Sequence, residues 1–304
     1  VSQAKYVFLN GEILPWEEGK VHVGSVAFKF GTAVFEGLRG YWNPAKEQLY
    51  VFQLDEHMRR LAYSQRFMRF EQPVDTGYVA EKTLDLVRAN EIRESVHIMT
   101  TVYVSGLGTP TTSDPIDVAI TASPGYKPGW VETGCSAQVS SWQRVPDQAM
   151  PMRVKCNANY QNGRIASMQA LADGYNTAIL LNTRGKVAEG PSMCFFMLRD
   201  GCAITPPVTS DILESITRRT VMELLSDYCD TPVVERDIDH SELCAATEAF
   251  YCGTAWEVTP IISIDRLPVG DGCVGPLVRK LQARYFSVVT GETGEHSHWL
   301  TPVY

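Results

Sequence analysis

The sequence predicts a two-domain protein in which strands and helices are mixed, an α/β chain in the broad sense. Three observations carry this. The chain has 304 residues, more than one domain of roughly 100–200 residues usually holds. Strand-like and helix-like periods alternate on both sides of its middle. Residues 123–134 (SPGYKPGWVETG) carry two prolines and three glycines and break every period. A small N-terminal α/β domain is therefore expected over 1–122, a connecting loop over 123–134, and a larger C-terminal domain over 135–304.

The elements follow from local pattern. Residues 6–9 and 12–14 read as strands around Asn10-Gly11, a dipeptide that favours the left-handed turn of a hairpin. Residues 49–53 read as another strand. Leu54, Met58, Leu61 and Met68 then recur near helical spacing, with Asp55 as the expected N-cap of a helix reaching about Arg69. A second helix is expected over 75–90, with Val79, Leu84 and Val87 apolar. Residues 96–104 and 118–122, rich in Val, Ile, Thr and Tyr, read as strands. Beyond the break, 177–181 and 186–188 read as strands around a turn, 193–198 and 248–252 as further strands, and 216–228 and 277–291 as helices. No internal repeat or low-complexity segment is present.

Composition excludes several classes. Apolar residues make up 44% and the net charge is −8. The first supplies real cores, and the second argues against non-specific binding to nucleic acid or anionic membrane. No apolar run approaches the ~18 residues needed to span a bilayer. The opening 14 residues lack a basic segment followed by an apolar core, so no signal peptide is read there. Of the eight cysteines (135, 156, 194, 202, 229, 244, 252 and 273) none forms a C-x-x-C pair. They read as reduced, buried thiols of a cytoplasmic protein. Only His296 and His298 fall near ligand spacing, so no metal site is expected.

Five features hold chemistry, and each has a plainer reading. Lys155 lies between Val154 and Cys156. It is either a strand-end lysine with its head in water, or an amine whose burial makes it a Schiff-base nucleophile. Glu189 follows a turn and precedes Gly190: an exposed acid, or a carboxylate held against a cationic ring nitrogen. Ser215, Ile216 and Thr217 open a predicted helix, whose free N–H groups suit a phosphate but which also simply needs a cap. Gly253-Thr254 offers backbone N–H groups and a hydroxyl at a strand end. Arg60, beside Arg59, has the bidentate fork suited to phosphate, although such a residue is more often only solvated.

Their joint order resembles one family. Residues 20–25 (KVHVGS) and 30–39 (FGTAVFEGLR) look like the opening block of branched-chain aminotransferases, enzymes of the fold-type IV class that use pyridoxal 5'-phosphate. Residues 56–61 (EHMRRL) resemble the block that supplies a phosphate-binding arginine, which puts that role on Arg60. Residues 155–160 resemble the lysine block. The match makes Lys155 the Schiff-base lysine and Tyr160 the partner of the cofactor's phenolic oxygen. Glu189-Gly190 resembles the ring-nitrogen carboxylate. Thr205-Pro206-Pro207 with residues 215–218 (SITR), and Gly253, Thr254 and Ala255 through Pro260, resemble the remaining phosphate blocks. The likeness runs from about Lys5 to Gly291.

The resemblance implies a small α/β domain, a larger domain with a barrel-like sheet, and a homodimer or higher homo-oligomer. It implies transfer of an amino group between an amino acid or amine and a 2-oxo acid through a Lys155 aldimine. Phe30, Phe35, His97, Met99 and Ala255 fall at positions that face the substrate, with Phe35 shaping an apolar side-chain pocket. Here the chain departs from the family. Phe30 stands where a Tyr is usual, and His97-Ile98-Met99 replaces a Tyr-x-Arg triplet whose arginine is thought to bind a distal carboxylate. Glu214-Ser215 replaces Pro-Gly, and Cys194 stands where Asn is usual. A lost partner for a carboxylate typically costs ~1–3 kcal/mol. Three readings therefore stay open: branched-chain-type transamination; another reaction on the same fold, such as D-amino-acid or (R)-amine transamination or an aminodeoxychorismate-type lyase; and a non-catalytic pyridoxal-phosphate-binding protein.

Overall fold

The computed structural model describes residues 3–304. In chain order the first elements are β1 (Tyr6–Leu9), β2 (Glu12–Pro15), α1 (Val26–Phe30), β3 (Ala33–Asn43), β4 (Gln48–Phe52), α2 (Leu54–Phe67), α3 (Thr76–Ala89), β5 (Val96–Val104) and β6 (Ile116–Pro124). Then come β7 (Cys135–Val139), α4 (Tyr160–Ala172), β8 (Thr177–Leu181), β9 (Val187–Glu189), β10 (Cys194–Arg199), β11 (Cys202–Thr205), α5 (Ile216–Cys229) and β12 (Val233–Glu235). The last are β13 (Glu248–Gly253), β14 (Glu257–Ile264), β15 (Leu267–Pro268), α6 (Pro276–Val289) and β16 (Leu300–Pro302).

These elements form two compact units. The first runs to Lys127 and takes in Val154–Ala158 and Ser287–Tyr304; the second holds Pro128–Arg153 and Asn159–Phe286. The contiguous 135–304 segment expected from sequence is thus interrupted twice. Residues 154–158 leave it because they attach to β3. The Phe35 N–H donates to the Lys155 carbonyl at 3.0 Å, and Val34 bridges to Cys156. Residues 300–302 leave it because β16 pairs with β4.

The first unit is built on a seven-stranded sheet in the order β16-β4-β3-β5-β6-β1-β2. The β1–β2 hairpin closes through Asn10 and Gly11, both at positive φ, as that dipeptide permits. Helices α2 and α3 cover the sheet with Leu54, Met58, Leu61, Val79, Leu86 and Val87. Asp75 caps α3 by accepting the Gly77 N–H at 3.1 Å. Asp55 does not cap α2. That place falls to Gln53, whose left-handed backbone turns the chain out of β4, and Asp55 sits inside the first turn. There its charge still favours the positive helix end.

The second unit holds a nine-stranded curled sheet, β12-β11-β10-β13-β14-β7-β8-β9, with β15 on β14. It is mixed: β7 runs parallel to both β14 and β8, whereas β10, β13 and β14 are antiparallel. Phe195, Met197, Tyr251 and Ile261 form its core, and the Tyr251 hydroxyl donates to the Ala178 carbonyl at 2.8 Å. Among the eight free cysteines, 135, 156, 194, 229 and 252 are buried, but Cys244 and Cys273 are exposed, against the expectation for those two. They lie on a 3-10 turn and in a loop, where no sheet face covers them.

Candidate active site

In the first unit the chemistry gathers on one face of β3. Alternate residues of a strand share a face, so Phe35, Gly37 and Arg39 point the same way, opposite Thr101, Met99 and His97 of β5. Lys155 joins this face. Its Nζ stands 4.4 Å from the centre of the buried Phe35 ring, and its backbone N–H donates to Ser64 Oγ at 3.3 Å. Lys155 as a residue is half-buried, as the nucleophile reading requires of a side chain that must still meet a ligand.

On the other face of β3 lies a group that sequence reasoning missed. Glu36 is fully buried, and its two carboxylate oxygens take Arg60 Nε and Nη2, each at 2.7 Å. His57 Nδ1 lies 2.7 Å from Glu36 Oε2. Burial alone pushes the Glu36 carboxyl up, but Arg60 and His57 outweigh it and hold the group at about 2. His57, one helical turn from Arg60 on α2, is itself lowered, first by desolvation. The ion pair is therefore Glu36 with Arg60, and His57 is a neutral hydrogen-bonding partner. Arg60 is tethered rather than solvated.

The substrate-facing candidates differ in exposure. Phe30, at the end of α1, and Met99, on β5, are exposed, whereas Phe35 is buried. His97 lies 5.5 Å from the Tyr126 ring and is lowered to about 4, first by desolvation and then by the charges of Arg39 and Lys155. It carries no charge at neutral pH. Arg39 is buried beside it and donates from Nη1 to the Tyr126 carbonyl at 2.8 Å.

The second unit holds the remaining candidates. Glu189 ends β9 and is buried. Its Oε1 accepts from Arg144 Nη2 at 2.5 Å and from the Leu213 N–H at 3.4 Å, and the Cys194 thiol lies 3.9 Å from Oε2. Tyr160 is the first residue of α4, five places after Lys155 in the chain. Ser215 caps α5 by accepting the Arg218 N–H at 3.1 Å, with Ile216 and Thr217 in the buried first turn. That leaves a helix N-terminus of the kind that receives an anion. Gly253 closes β13, and Thr254 and Ala255 form the turn into β14. Arg218 is already bound to Thr205 and Glu235 within this unit, which fixes the Thr205–Pro207 block against α5.

These residues fit pyridoxal phosphate by type. The first unit has a half-buried lysine and a tethered arginine. The second has a buried carboxylate for a ring nitrogen and a capped helix start for a phosphate. Arg144 and Glu36 carried no local signal in sequence: one is an arginine in a loop, the other an acid inside an apolar strand.

Comparison with known proteins agrees. Residues 33–264 match the family described as Amino-transferase class IV. The chain is 41% identical to the probable branched-chain-amino-acid aminotransferase of Aquifex aeolicus, covering 98% of this chain and 97% of that one. Among solved structures, the branched-chain amino acid aminotransferase of Thermobaculum terrenum in its PLP form superposes with a TM-score of 0.93 at 42% identity over 99% of both chains. The branched-chain aminotransferase of Thermoproteus uzoniensis, solved with norvaline, does so with a TM-score of 0.93 at 39% identity, over 99% of this chain and 100% of that one. A mixed fold with a curled sheet, the ordered site blocks and similarity along the whole chain lead to one conclusion: this chain belongs to the class IV aminotransferases.

Proposed function

We propose that the chain is a pyridoxal-phosphate-dependent transaminase of the branched-chain type, with Lys155 as its catalytic residue. The observation that carries the reading is the Lys155 amine poised over Phe35 on the face of the paired strands β3 and β5 that also bears Gly37 and Arg39 from β3 and His97 and Met99 from β5.

When bound, the cofactor supplies an electron sink for the carbanion formed at the substrate Cα. The residues supply the rest. Lys155 anchors the cofactor through Nζ. Its free Nζ would take the substrate Cα proton and later return one, acting as general base and then as acid. Arg60, Ser215, Ile216, Thr217, Gly253 and Thr254 hold the phosphate through a guanidinium, a hydroxyl and backbone N–H groups. Tyr160 orients the phenolic oxygen, and Glu189 holds the proton on the ring nitrogen. Phe35 shapes the pocket for the substrate side chain, Ala255 lines the substrate, and Phe30, His97 and Met99 stand where the family's carboxylate partners usually are.

The substrates are an amino donor and a 2-oxo acid acceptor. A second reading, with an amine or an unusual amino acid as donor, is favoured by one feature: neutral His97 and exposed Met99 leave no cation where the Tyr-x-Arg arginine would stand. A homodimer is supported by the exposed apolar group Val23, Phe28, Phe30 and Leu107 around α1, larger than isolated surface residues need be. A cytoplasmic location is in keeping with the buried free thiols.

A panel of L-amino acids, D-amino acids and chiral amines, read by bleaching of the cofactor's visible absorbance and formation of pyridoxamine phosphate, tests the reading. L-leucine, L-isoleucine and L-valine are expected to react fastest. Reaction with (R)-amines alone would transfer the assignment to the second reading.

A further inference from the structure

The Glu189 carboxylate does not stand alone, and what holds it has a chemical consequence. Arg144 lies beyond the end of β7, where its backbone N–H donates to the Leu181 carbonyl at 2.8 Å. From that fixed point its Nη2 reaches Glu189 Oε1 at 2.5 Å, and Nη1 donates to Asn162 Oδ1 on α4 at 3.3 Å. Asn162 is in turn tied to the Gln143 carbonyl at 3.0 Å. The two side chains of the pair are 5% and 3% exposed. Arg144 Nε is buried with no hydrogen-bond partner among the described residues. A guanidinium is therefore held in a dry site with one nitrogen unsatisfied, an arrangement that costs stability and so calls for a return.

We infer that Arg144 is a positioning residue that keeps Glu189 ionised, so that the proton shared between Glu189 and the cofactor's ring nitrogen stays on the ring. The inference rests on the assignment of Glu189 to the ring nitrogen given above.

The argument turns on where that proton sits. A buried carboxylate beside a pyridinium has two states, an ion pair or a neutral acid facing a neutral pyridine. Desolvation favours the neutral state. A fixed positive charge reverses this if it stands closer to the carboxylate than to the ring. Arg144 meets that condition. It contacts Oε1 directly at 2.5 Å, so a ring held by the carboxylate would stand farther from the guanidinium than the carboxylate does. The Cys194 thiol near Oε2 is only a weak donor. The Leu213 N–H, 3.4 Å from the same oxygen that Arg144 holds, adds to the effect of that charge. A ring that keeps its proton withdraws electrons more strongly, which is what the electron sink needs.

The test loads full-length protein with pyridoxal phosphate labelled with 15N in the ring and reads the ring nitrogen by NMR at pH 7.5. Wild type is expected at the pyridinium position. Arg144→Met and Arg144→Gln are expected to move it to the neutral position, with the ratio of protonated to neutral ring falling at least tenfold. Arg144→Lys is expected to restore much of it. Gln keeps hydrogen-bonding capacity toward Glu189 and Asn162, so it serves if the Met variant does not fold, with thermal melting as the check. A purely structural role would lower melting temperature or cofactor content and leave the ring protonated; that result in either folded neutral variant overturns the inference. Glu189→Gln separates the two assignments. If it too leaves the ring protonated, the reading of Glu189 fails. If it deprotonates the ring while Arg144→Gln does not, only the role of Arg144 fails.

Discussion

Arg39 and His97 stand directly opposite each other in the antiparallel register of β3 and β5, a cation facing an imidazole across one strand pair. Desolvation lowers His97 first, and Arg39 adds to the effect, to about 4 from an ordinary 6.5, so the imidazole is neutral at pH 7. Stability then depends on pH with a definite sign. As pH falls from about 6.5 to about 4, the unfolded chain takes up a proton that folded His97 refuses. The folded state loses on the order of 3 kcal/mol over that window. His57 shifts in the same direction. Urea denaturation at pH 7 and pH 4.5 is expected to show the loss, and His97→Phe to remove a large part of it. A His97→Phe protein with the full wild-type slope would contradict the account.

Below that window Glu36 takes over. Its carboxyl lies at about 2 against an ordinary 4.5, so its contribution is present above 4.5 and disappears as pH falls toward 2. Glu36→Gln is expected to flatten the acid limb of the stability curve between those values. It also takes the Glu36 carboxylate away from the half-buried Arg60, so a lower melting temperature at pH 7 is the companion result.

Met99 offers a gain-of-function test. It is exposed and opposite Gly37, with no large side chain across from it. Met99→Arg places a guanidinium on the Lys155 face of the sheet. KM for 2-oxoglutarate is expected to fall about tenfold, in line with ~1–3 kcal/mol for a hydrogen bond to a charged group, while KM for a monocarboxylic 2-oxo acid stays unchanged. An equal change in both would deny that Met99 faces a distal carboxylate.

Gly163 links α4 to the loop after Glu189. A Cβ there would stand 2.2 Å from the Pro191 carbonyl oxygen, and backbone cannot yield as a flexible side chain does. Gly163→Ala is expected to cost ~1–3 kcal/mol by overpacking and to speed cofactor release, measured by dialysis. Gly129→Ala, with open space around it, is the control and should change neither.

The parts legible in sequence were those with a period or a cap. The β1–β2 hairpin declared itself through Asn10-Gly11, and α3 through the apolar stripe of Val79, Leu84 and Val87. By contrast β3, which carries the site, was not read as a strand. Almost every residue from Ala33 to Asn43 is buried, so alternation vanishes, and Gly37 and Gly40 weaken β propensity further. Helix α4 escaped for the opposite reason. Its inner face is Gly163, Ala166 and Ala170, whereas Ile165, Met168 and Leu171 point outward, so its apolar pattern misreports the buried side. The site blocks were legible only as an ordered set. Neither Lys155 nor Glu189 carries a local signal, because what distinguishes them is burial and partners from distant segments. Arg144 and His57 were missed on the same grounds.

The most direct measurement is the visible absorbance and transamination rate of Lys155→Ala reconstituted with pyridoxal phosphate. The account predicts that the absorbance of the covalently held cofactor disappears and that the rate falls by roughly 10³ or more, the scale of a lost general base, while melting temperature stays near wild type. Turnover within about tenfold of wild type by a folded Lys155→Ala protein would contradict it.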